Sequence, residues 1–580
     1  MCGIAGYIGD RKASPILLNA LRKLEYRGYD SVGMAVIDEH QIELKKGKGR
    51  VDEVNQRLNF ESMAGSIGIS QTRWATHGKP SDSNAHPFID NNNEFALVHN
   101  GIIENYLELK EELRRANVTF SSETDSEVLV HLIAQNYFGS LKEAVVKILP
   151  KLKGAYAFCV IKKGNEEIVG ARKGSPLVVG VGQNENFLSS DVSGIINHTK
   201  NVVYLNDFQI TSIIKNKIEI YNFEGEPQEF KISKVDWNLE QSQKQGYKHF
   251  MLKEIFEQPK IISDSLNVNC LINFIPKRIF VVACGTANYA GLIGKYVIES
   301  IAKIPVIVEV ASEFRYKDSL LNNEDLVLAI SQSGETADTL AAIRLAKERG
   351  SKTLGIINVV DSTIAREVDE VIYTAAGPEI GVASTKAFIS QLVLLYKLAY
   401  HLAGKEFPPV QIGRLVEEVL GQNENIKELA AKYFNYQNFM YIGRHFNFPL
   451  ALEGALKLKE ISYIHAEAYP AGELKHGPIA LISEDMPTLA ICPRDKVYTK
   501  TFSTIEEIKA RNGKVITIAT IGDETIKKIS DDIIYVPEIE ESFYPFVITI
   551  PLQLFAYHIA NLKECDVDKP RNLAKSVTVE

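Results

Sequence analysis

Cysteine is scarce in this sequence and widely scattered. The 580 residues contain only six cysteines, at Cys2, Cys159, Cys270, Cys284, Cys492 and Cys565. They form no C-x-x-C pair and no set with metal-ligand spacing, so a disulfide-stapled scaffold and a cysteine-based metal site are both excluded. This usage favours a reduced, cytoplasmic compartment and predicts no bound metal.

Blocks of one charge and long apolar runs are also missing. The net charge of -8 is spread along the chain without a Lys/Arg cluster, so nucleic acid and anionic membranes are not expected partners. We find no apolar run near the roughly 18 residues that span a bilayer, and the first residues lack a basic segment followed by a hydrophobic one. The sequence therefore predicts no membrane contact and a mature chain that begins after removal of Met1.

Cofactor fingerprints are absent too. No G-x-G-x-x-G run lies between a predicted strand and helix, and there is no P-loop, so neither NAD nor ATP is expected. A pyridoxal group is not expected either. The sequence therefore predicts no bound cofactor.

The composition and the length indicate a multidomain globular protein. Hydrophobic residues make up 45% and charged residues 24%, as in ordinary globular proteins, and the length suggests three or four domains. Residues 1–240 mix β-rich runs with glycine turns, which predicts an α+β domain. A polar stretch, 238–246 (NLEQSQKQG), is the predicted main linker.

The second half alternates strand-like and helical segments, which predicts parallel α/β sheets. A repeat also appears: FVVACG at 280–285 returns as FMYIGR at 439–444, LAI at 328–330 returns at 489–491, and VIY at 371–373 returns as IIY at 533–535. The near-constant offset predicts two tandem copies of one fold. We assign 241–270 to the linker and an entry helix, 271–410 and 411–565 to the two copies, and 566–580 to a C-terminal tail.

Several N-terminal residues suit the hydrolysis of an amide. Once Met1 is removed, the Cys2 thiol lies beside a free α-amine with an ordinary pKa near 8, which can act as its base. Asn100 and Gly101 offer two donors for an oxyanion. Arg73 could bind an α-carboxylate, and Asp125 an α-ammonium. Taken singly, each residue is more often a buried cysteine or a surface charge.

Taken in order, these motifs resemble the N-terminal-nucleophile glutamine amidotransferases. The resemblance rests on residues 1–6 (MCGIAG), 26–31 (YRGYDS), 72–78 (TRWATHG), 99–105 (HNGIIEN) and 123–127 (ETDSE). It implies a four-layer αββα domain with Cys2 as nucleophile and Asn100 and Gly101 as the oxyanion hole. It further implies a glutamine-binding site formed by Arg73, Thr76, His77 and Asp125. Trp74 would gate the passage of ammonia. Gln71 departs from the histidine common in relatives, and we expect a minor effect.

The second half contains two strand-to-helix turns suited to a phosphate. The run 331–336 (SQSGET) precedes a predicted helix, where hydroxyls, backbone N–H groups and the helix dipole favour an anion. Ordinary N-capping would give the same pattern. The run 284–286 (CGT) is a second turn of this kind, with glycine for close approach.

Groups suited to proton transfer follow. Lys457 and Glu460 share one face of a predicted helix, although a solvated salt bridge has the same spacing. His476 can carry protons near neutral pH, although a lone histidine is more often structural. A free, flexible tail would have no obvious need for the closing segment 568–580 (DKPRNLAKSVTVE).

These runs, with 379–387 (EIGVASTKA), resemble the sugar isomerase (SIS) family, and the fusion implies two tandem α/β SIS domains with parallel sheets in a homodimer. Expected substrates are glutamine and fructose-6-phosphate. By this resemblance, Glu460 would move a proton between sugar carbons, and His476 would open the sugar ring, reaching across the dimer. Lys575 would form a Schiff base with the sugar, and Lys457 would assist at the sugar oxygens. The implied sugar-phosphate site is Thr286, Ser331, Gln332, Ser333, Thr336, Val382 and Ser384. Ala287 replaces a common phosphate-binding serine.

Two alternatives remain open at this point. A glutaminase fused to a sugar-phosphate-binding regulator would share the fold, although it would have no chemical reason to carry Glu460, His476 and Lys575. A paralogue acting on another ketose phosphate would keep all three. Because Ala287 departs from the common serine at the phosphate site, the sequence does not exclude this second alternative.

Overall fold

The computed structural model describes residues 2–38, 41–235, 244–318 and 320–578. The chain divides into two compact units, the first built chiefly from the N-terminal 239 residues and the second chiefly from residues 240–575. Most of the predicted linker, 238–246, lies outside the described residues; only 244–246 are described.

The first unit contains two antiparallel sheets and five helices in its described part. The strands are β1 Gly3–Gly9, β2 Ser31–Ile37, β3 Ile42–Lys48, β4 Ile67–Arg73, β5 Phe88–Ile89, β6 Phe95–Gly101, β7 Tyr156–Lys162, β8 Ile168–Lys173, β9 Val178–Val181, β10 Glu185–Ser189, β11 Asn201–Tyr204, β12 Gln209–Ile214, β13 Lys217–Asn222, β14 Pro227–Gln228 and β15 Ser233–Lys234. The helices are α1 Ala13–Leu24, α2 Val51–Leu58, α3 Tyr106–Arg115, α4 Glu127–Gln135 and α5 Leu141–Ile148.

Side-chain alternation along the central strands explains the layering of this unit. The sheets have the orders β15-β11-β9-β10-β1-β4-β2-β3 and β14-β13-β12-β8-β7-β6-β5. On β1, Ala5 and Tyr7 pack against α1 and α2, whereas Ile4 and Ile8 face the second sheet, because successive side chains point to opposite faces. Helices α3 to α5 cover the other face of the second sheet. The predicted four-layer αββα domain is confirmed.

The second unit contains two parallel sheets surrounded by helices. Its strands are β16 Arg278–Ala283, β17 Val306–Val310, β18 Asp325–Ser331, β19 Lys352–Ile357, β20 Glu370–Tyr373, β21 Asn438–Gly443, β22 His465–Pro470, β23 Thr488–Ile491, β24 Val515–Thr520 and β25 Asp532–Val536. Its helices are α6 Phe250–Phe256, α7 Gln258–Leu266, α8 Gly285–Ile301, α9 Ala311–Phe314, α10 Ala337–Glu348, α11 Thr363–Glu367, α12 Lys386–Leu402, α13 Ile412–Leu420, α14 Asn423–Tyr433, α15 Asn447–Ser462, α16 Tyr498–Lys509 and α17 Tyr544–Leu562.

The two sheets have the same topology, so the predicted tandem repeat is confirmed. Their orders are β17-β16-β18-β19-β20 and β22-β21-β23-β24-β25, and every strand pairing in them is parallel. The three repeated sequence runs lie on matching strands: β16 and β21, β18 and β23, and β20 and β25. In sheets of this kind, ligands bind beyond the carboxyl ends of the strands at the point where the strand order reverses. In the first copy, that point lies between the loops after β16 and β18.

One apolar segment was missed in the sequence. Among the described residues, the helix over Glu541–Leu562 is long and apolar enough to cross a bilayer, so the expectation that no such run exists is wrong. That segment is wholly buried in the protein core, where α17 packs against α14 and α15. Its apolarity therefore has the ordinary cause of a core helix surrounded by protein.

Candidate active sites

Cys2 lies just before β1, beside the end of β4. The register of these antiparallel strands pairs Gly3 with Thr72, which brings the Cys2 thiol to Trp74. The Trp74 backbone N–H donates to Cys2 Sγ at 3.3 Å, and the thiol donates to the Trp74 carbonyl at 3.6 Å. Burial raises the pKa of the thiol, although the Trp74 N–H and the positive charge of Arg73 act in the opposite direction. The thiol therefore needs a base to become a nucleophile.

The predicted oxyanion donors lie at the end of β6, next to Cys2. Asn100 Nδ2 donates to the Cys2 carbonyl at 2.9 Å, and Gln71 Nε2 donates to Asn100 Oδ1 at 2.9 Å. Gln71 thus fixes which side of the Asn100 amide faces Cys2. Gly101 has a φ of 115°, and a Cβ there would lie 2.1 Å from the Ala155 carbonyl oxygen, so only glycine fits this position.

Arg73 and Asp125 are both buried in this neighbourhood. Arg73 Nη2 donates to the His77 and Gly78 carbonyls, while its Nη1 has no hydrogen-bond partner in the described chain. Asp125 accepts the Ile103 N–H at 2.8 Å. A buried guanidinium with an unused donor is suited to a carboxylate.

Thr76 and His77 follow β4 on a more open loop. His77 Nδ1 lies 3.4 Å from Thr76 Oγ1, and its ring contacts Tyr106 edge-on. The structure therefore brings Cys2, Arg73, Trp74, Asn100 and Gly101 to the ends of three adjoining strands. Asp125 and the pair Thr76–His77 come from neighbouring loops.

The predicted phosphate loop follows β18 of the second unit. Ser331 ends β18, and its Oγ accepts the Gly334 N–H at 3.0 Å, while Gln332 and Ser333 are half-buried in the turn. Thr336 is also half-buried, although residues 335–337 group with the first unit. The loop lies beyond the carboxyl end of β18, as predicted. Its hydroxyls and backbone N–H groups precede the first turn of α10, where an anion is stabilised.

A buried charge network connects the two SIS-like copies. Lys457 Nζ on α15 lies 2.7 Å from Glu460 and 3.5 Å from Glu453, and it donates to Thr286 Oγ1 at 3.0 Å. Thr286 in turn donates to Glu453 at 3.3 Å. The Lys457 side chain is 1% exposed, so the pair with Glu460 is not a solvated surface bridge. Burial would lower the pKa of Lys457, but Glu453 and Glu460 raise it, and the side chain is a fixed ammonium.

Glu453 makes this network sensitive to pH. Burial raises the pKa of its carboxyl to about 7, against the opposing charge of Lys457, and an unfolded glutamate titrates near 4.3. A raised folded pKa contributes stability below about pH 4.3 that is lost as the pH rises to about 7. Above about pH 7, where Glu453 is ionised in both states, the free energy of unfolding no longer changes with pH because of this residue.

We expect Glu453→Gln to flatten the pH dependence of stability between about pH 4.5 and 7. Wild type should lose up to about 1.4 kcal/mol per pH unit through this one proton, and the variant should not. The measurement is Tm against pH for both proteins, with Glu428→Gln on the exposed face of α14 as a matched control. Parallel Tm curves for wild type and Glu453→Gln would contradict the assignment.

Lys575 is buried in the second unit and ion-paired, with its side chain 5% exposed. Its Nζ contacts the Glu379 carboxylate and donates to the Gly381 carbonyl at 2.8 Å. Ser384 donates to the same Glu379 carboxylate at 3.0 Å, and the Val382 N–H donates to the Asp568 carbonyl at 3.0 Å. The tail segment that carries Lys575 is therefore packed against the loop 379–384.

His476 is not joined to these groups. It ends a short 3₁₀ turn, Glu473–His476, its side chain is exposed, and within the described chain no hydrogen bond or ion pair connects its ring to Lys457, Glu460 or Lys575. The role implied for it across a dimer stays a prediction.

Sequence reasoning missed three buried carboxylates at these sites, Glu254, Glu379 and Glu453. It also missed the half-buried Asp30, which accepts the Ala75 N–H. Glu453 could have been found, because it lies one helical turn before Lys457 on the same face. Glu254 had no such signal, since its partners lie more than 100 residues away along the chain. Glu379 has partners within its own loop, but Lys575, which links it to the reaction, lies 196 residues away.

Comparisons with known families agree with this division of the chain. Residues 72–197 match the glutamine amidotransferase domain family. Residues 275–400 and 433–563 each match the SIS domain family. The two SIS matches cover the two parallel sheets of the second unit.

Curated relatives match along the whole chain. The glutamine–fructose-6-phosphate aminotransferase (isomerizing) of Aquifex aeolicus is 52% identical, and that of Chlorobaculum tepidum is 49% identical, with 100% of both chains covered in each comparison. A solved structure, the C-terminal domain of glucosamine-fructose-6-phosphate aminotransferase from Francisella tularensis, covers 56% of this chain and 99% of its own, at 41% identity and a TM-score of 0.52. The chain therefore belongs to the glutamine–fructose-6-phosphate aminotransferase (isomerizing) family.

Proposed function

We propose that this enzyme hydrolyses glutamine and transfers the released ammonia to fructose-6-phosphate, forming glucosamine-6-phosphate for amino-sugar synthesis. The observation that carries the proposal is the buried Lys575, which is held against Glu379 and the Gly381 carbonyl. A sugar-binding regulator would have no use for a buried, fixed amine of this kind. Membership of the family supports both half-reactions.

In the glutaminase half, the Cys2 thiolate adds to the side-chain amide carbon of glutamine. The proton leaves Sγ for the α-amine that removal of Met1 exposes, and Asn100 Nδ2 with the Gly101 N–H stabilises the oxyanion. The amine then protonates the leaving nitrogen, and ammonia departs as the tetrahedral intermediate collapses to a thioester on Cys2. Water hydrolyses this thioester, which releases glutamate and restores the Cys2 thiol. Arg73 and Asp125, with Thr76 and His77, bind the amino acid, and Trp74, whose backbone flanks the thiol, gates ammonia release.

In the sugar half, Lys575 gives up its ammonium proton to the Glu379 carboxylate that contacts it. The neutral amine then adds to the C2 carbonyl of the open-chain ketose, and water leaves to give a Schiff base. Ammonia replaces the lysine at C2 and frees the Lys575 amine. Glu460 then moves a proton from C1 to C2, while the O1 hydroxyl proton passes to the nitrogen, which converts the ketose imine into the amino aldose. The fixed ammonium of Lys457 stabilises charge on the sugar oxygens, and His476 opens the ring.

The phosphate site of this proposal is the loop after β18, with Thr286 and the segment around Val382 and Ser384. Ser331, Gln332, Ser333 and Thr336 supply the polar groups. Since Ala287 offers no hydroxyl, backbone N–H groups at the start of α8 would take its place. Because Lys457 and Glu453 contact the Thr286 hydroxyl, that residue would bind phosphate through its backbone or after rearrangement.

We also propose the domain limits 1–240, 241–270, 271–410, 411–565 and 566–580, a cytoplasmic location and a homodimer. The six cysteines, all described, are free thiols, which fits a reducing compartment. The exposed position of His476 fits a role that a second subunit completes.

The decisive assay supplies glutamine and fructose-6-phosphate and follows glucosamine-6-phosphate. Turnover supports the proposal, whereas glutamine hydrolysis without sugar product would favour the regulator. Ala287 gives a specific reason to test a second ketose phosphate, tagatose-6-phosphate, in parallel. Faster turnover of that sugar would identify a paralogue with a different substrate.

We expect Ser333→Ala and Thr336→Ala each to weaken fructose-6-phosphate binding about tenfold or more. Each change removes a hydroxyl whose bond to a charged group contributes about 1.5 kcal/mol. The measurement is KM for the sugar, with sugar-independent glutaminase activity as an internal reference. Ser503→Ala, at an exposed hydroxyl on α16, is the matched control. Unchanged KM in both variants would move the phosphate site elsewhere.

A further inference from the structure

Helix α6 contributes a buried carboxylate to the loop that holds Lys575. Glu254 is 2% exposed, and its Oε1 accepts the Ile380 N–H. The Gly381 N–H lies 3.3 Å from Oε1 and 3.2 Å from Oε2. One carboxylate therefore binds two consecutive backbone N–H groups of the segment between Glu379 and Val382.

Gly381, which Glu254 binds through its N–H, is also the residue whose carbonyl binds Lys575. The Gly381 N–H points to Glu254, and the Gly381 carbonyl accepts the Lys575 ammonium at 2.8 Å. The same segment begins at Glu379, whose carboxylate contacts Lys575. A shift of the Gly381 backbone would therefore move one of the two groups that orient the Lys575 amine.

Both sides of this contact are tightly fixed. A Cβ on Gly381 would lie 2.9 Å from Glu254 Oε2, so the carboxylate fills the space next to the glycine. At the start of α6, Asp568 accepts the Phe250 and Met251 N–H groups at 2.9 Å, while its carbonyl accepts the Val382 N–H. Hydrogen bonds therefore connect the start of helix α6, the loop 379–384 and Asp568 of the C-terminal tail.

Charges of opposite sign act on the pKa of Glu254. Burial and the negative charge of Glu379 raise the pKa of Glu254 to about 8, although Lys575 and Lys386 act to lower it. Lys386 is itself paired with Glu257, one turn along the chain from Glu254. Glu379 therefore pairs with Lys575, and the charges of both residues act on the pKa of Glu254.

We propose that Glu254 is a positioning residue for Lys575, holding the Ile380–Gly381 backbone so that the Gly381 carbonyl and the Glu379 carboxylate aim the amine at the sugar carbonyl. This inference rests on the proposed role of Lys575 in Schiff-base formation. It assigns Glu254 no contact with the substrate.

The test is the Glu254→Gln variant of the full chain. An amide keeps the size of the side chain but turns one acceptor into a donor that faces backbone N–H groups, so at least one of these bonds is lost. We expect kcat for synthesis to fall about tenfold or more, with KM for fructose-6-phosphate within about twofold of wild type. Borohydride trapping of fructose-6-phosphate on Lys575 should slow by the same factor as kcat.

A pH profile separates positioning from general damage. Glu254 should contribute an inflection to the wild-type trapping rate above the ordinary range of a glutamate, because burial and the charge of Glu379 raise its pKa. Glu254→Gln should lack that inflection. Damage to the fold alone would lower the rate equally at every pH and would leave the inflection in place, which would overturn the proposal.

Three controls complete the experiment. Asp264→Asn, an exposed acid-to-amide change on α7, should behave as wild type, and Glu254→Asp, which keeps the charge, should recover part of the trapping rate. If Glu254→Gln does not fold, as a loss of glutaminase activity would indicate, Gly381→Ala tests the same contact. Its added Cβ would lie against the Glu254 carboxylate, so sugar trapping on Lys575 should slow at least threefold. Wild-type trapping in the folded variant would overturn the proposal. Absence of trapping on Lys575 in wild type would instead refute the underlying function.

Discussion

Replacing Cys2 with alanine is expected to abolish glutamine-dependent synthesis, with a loss of about 10³-fold or more in kcat. Removal of the nucleophile of a covalent mechanism leaves only the contribution of binding and of the oxyanion donors. The sugar half is untouched, so added ammonium should restore part of the synthesis. The measurements are glutamate release and glucosamine-6-phosphate formation, each with glutamine and with ammonium.

A second cysteine in the same unit provides the control for this result. Cys159→Ala removes a buried thiol from β7, and it should keep glutamine-dependent synthesis with at most a modest loss of stability. Normal glutamine hydrolysis by Cys2→Ala would show that another residue is the nucleophile. Failure of ammonium to rescue it would show that the substitution also damages the sugar half.

Replacing Lys575 with arginine is expected to have the other large effect. Arginine keeps the positive charge that pairs with Glu379, but its guanidinium does not lose a proton in proteins and cannot form the Schiff base. Synthesis should fall about 10³-fold or more, while Cys2-dependent glutamine hydrolysis continues. In wild type, borohydride with fructose-6-phosphate should attach the sugar to the peptide that contains Lys575.

The matched control is Lys459→Arg, at an exposed lysine on α15. It should synthesise glucosamine-6-phosphate and trap the sugar on Lys575 as wild type does. Attachment of the sugar to another lysine, or full synthesis by Lys575→Arg, would refute the role of Lys575. Either result would favour the hypothesis that the second unit is a sugar sensor.

Much of the fold was predictable because the relevant signals are local. Alternating strands and helices predicted the parallel sheets, and recurring runs at a near-constant offset predicted the tandem copies, which the matching orders of β16–β20 and β21–β25 confirm. The apolar helix α17 was missed because Pro545, Pro551 and scattered polar residues interrupt its hydrophobic pattern. Burial by protein on all sides, rather than local pattern, accounts for its composition.

The sequence by itself determined the family, the order of the domains and the candidates Cys2, Asn100, Lys457 and Lys575, because each belongs to a short run of residues with a recognisable chemical purpose. Only the tertiary structure decided which groups contact those candidates. Glu254 binds a peptide 126 residues away, and Glu379 contacts Lys575 across 196 residues. A carboxylate acquires its pKa and its partners from burial and neighbouring charges, which depend on the folded chain. A short run of sequence therefore does not predict the pKa of these carboxylates or their distant partners.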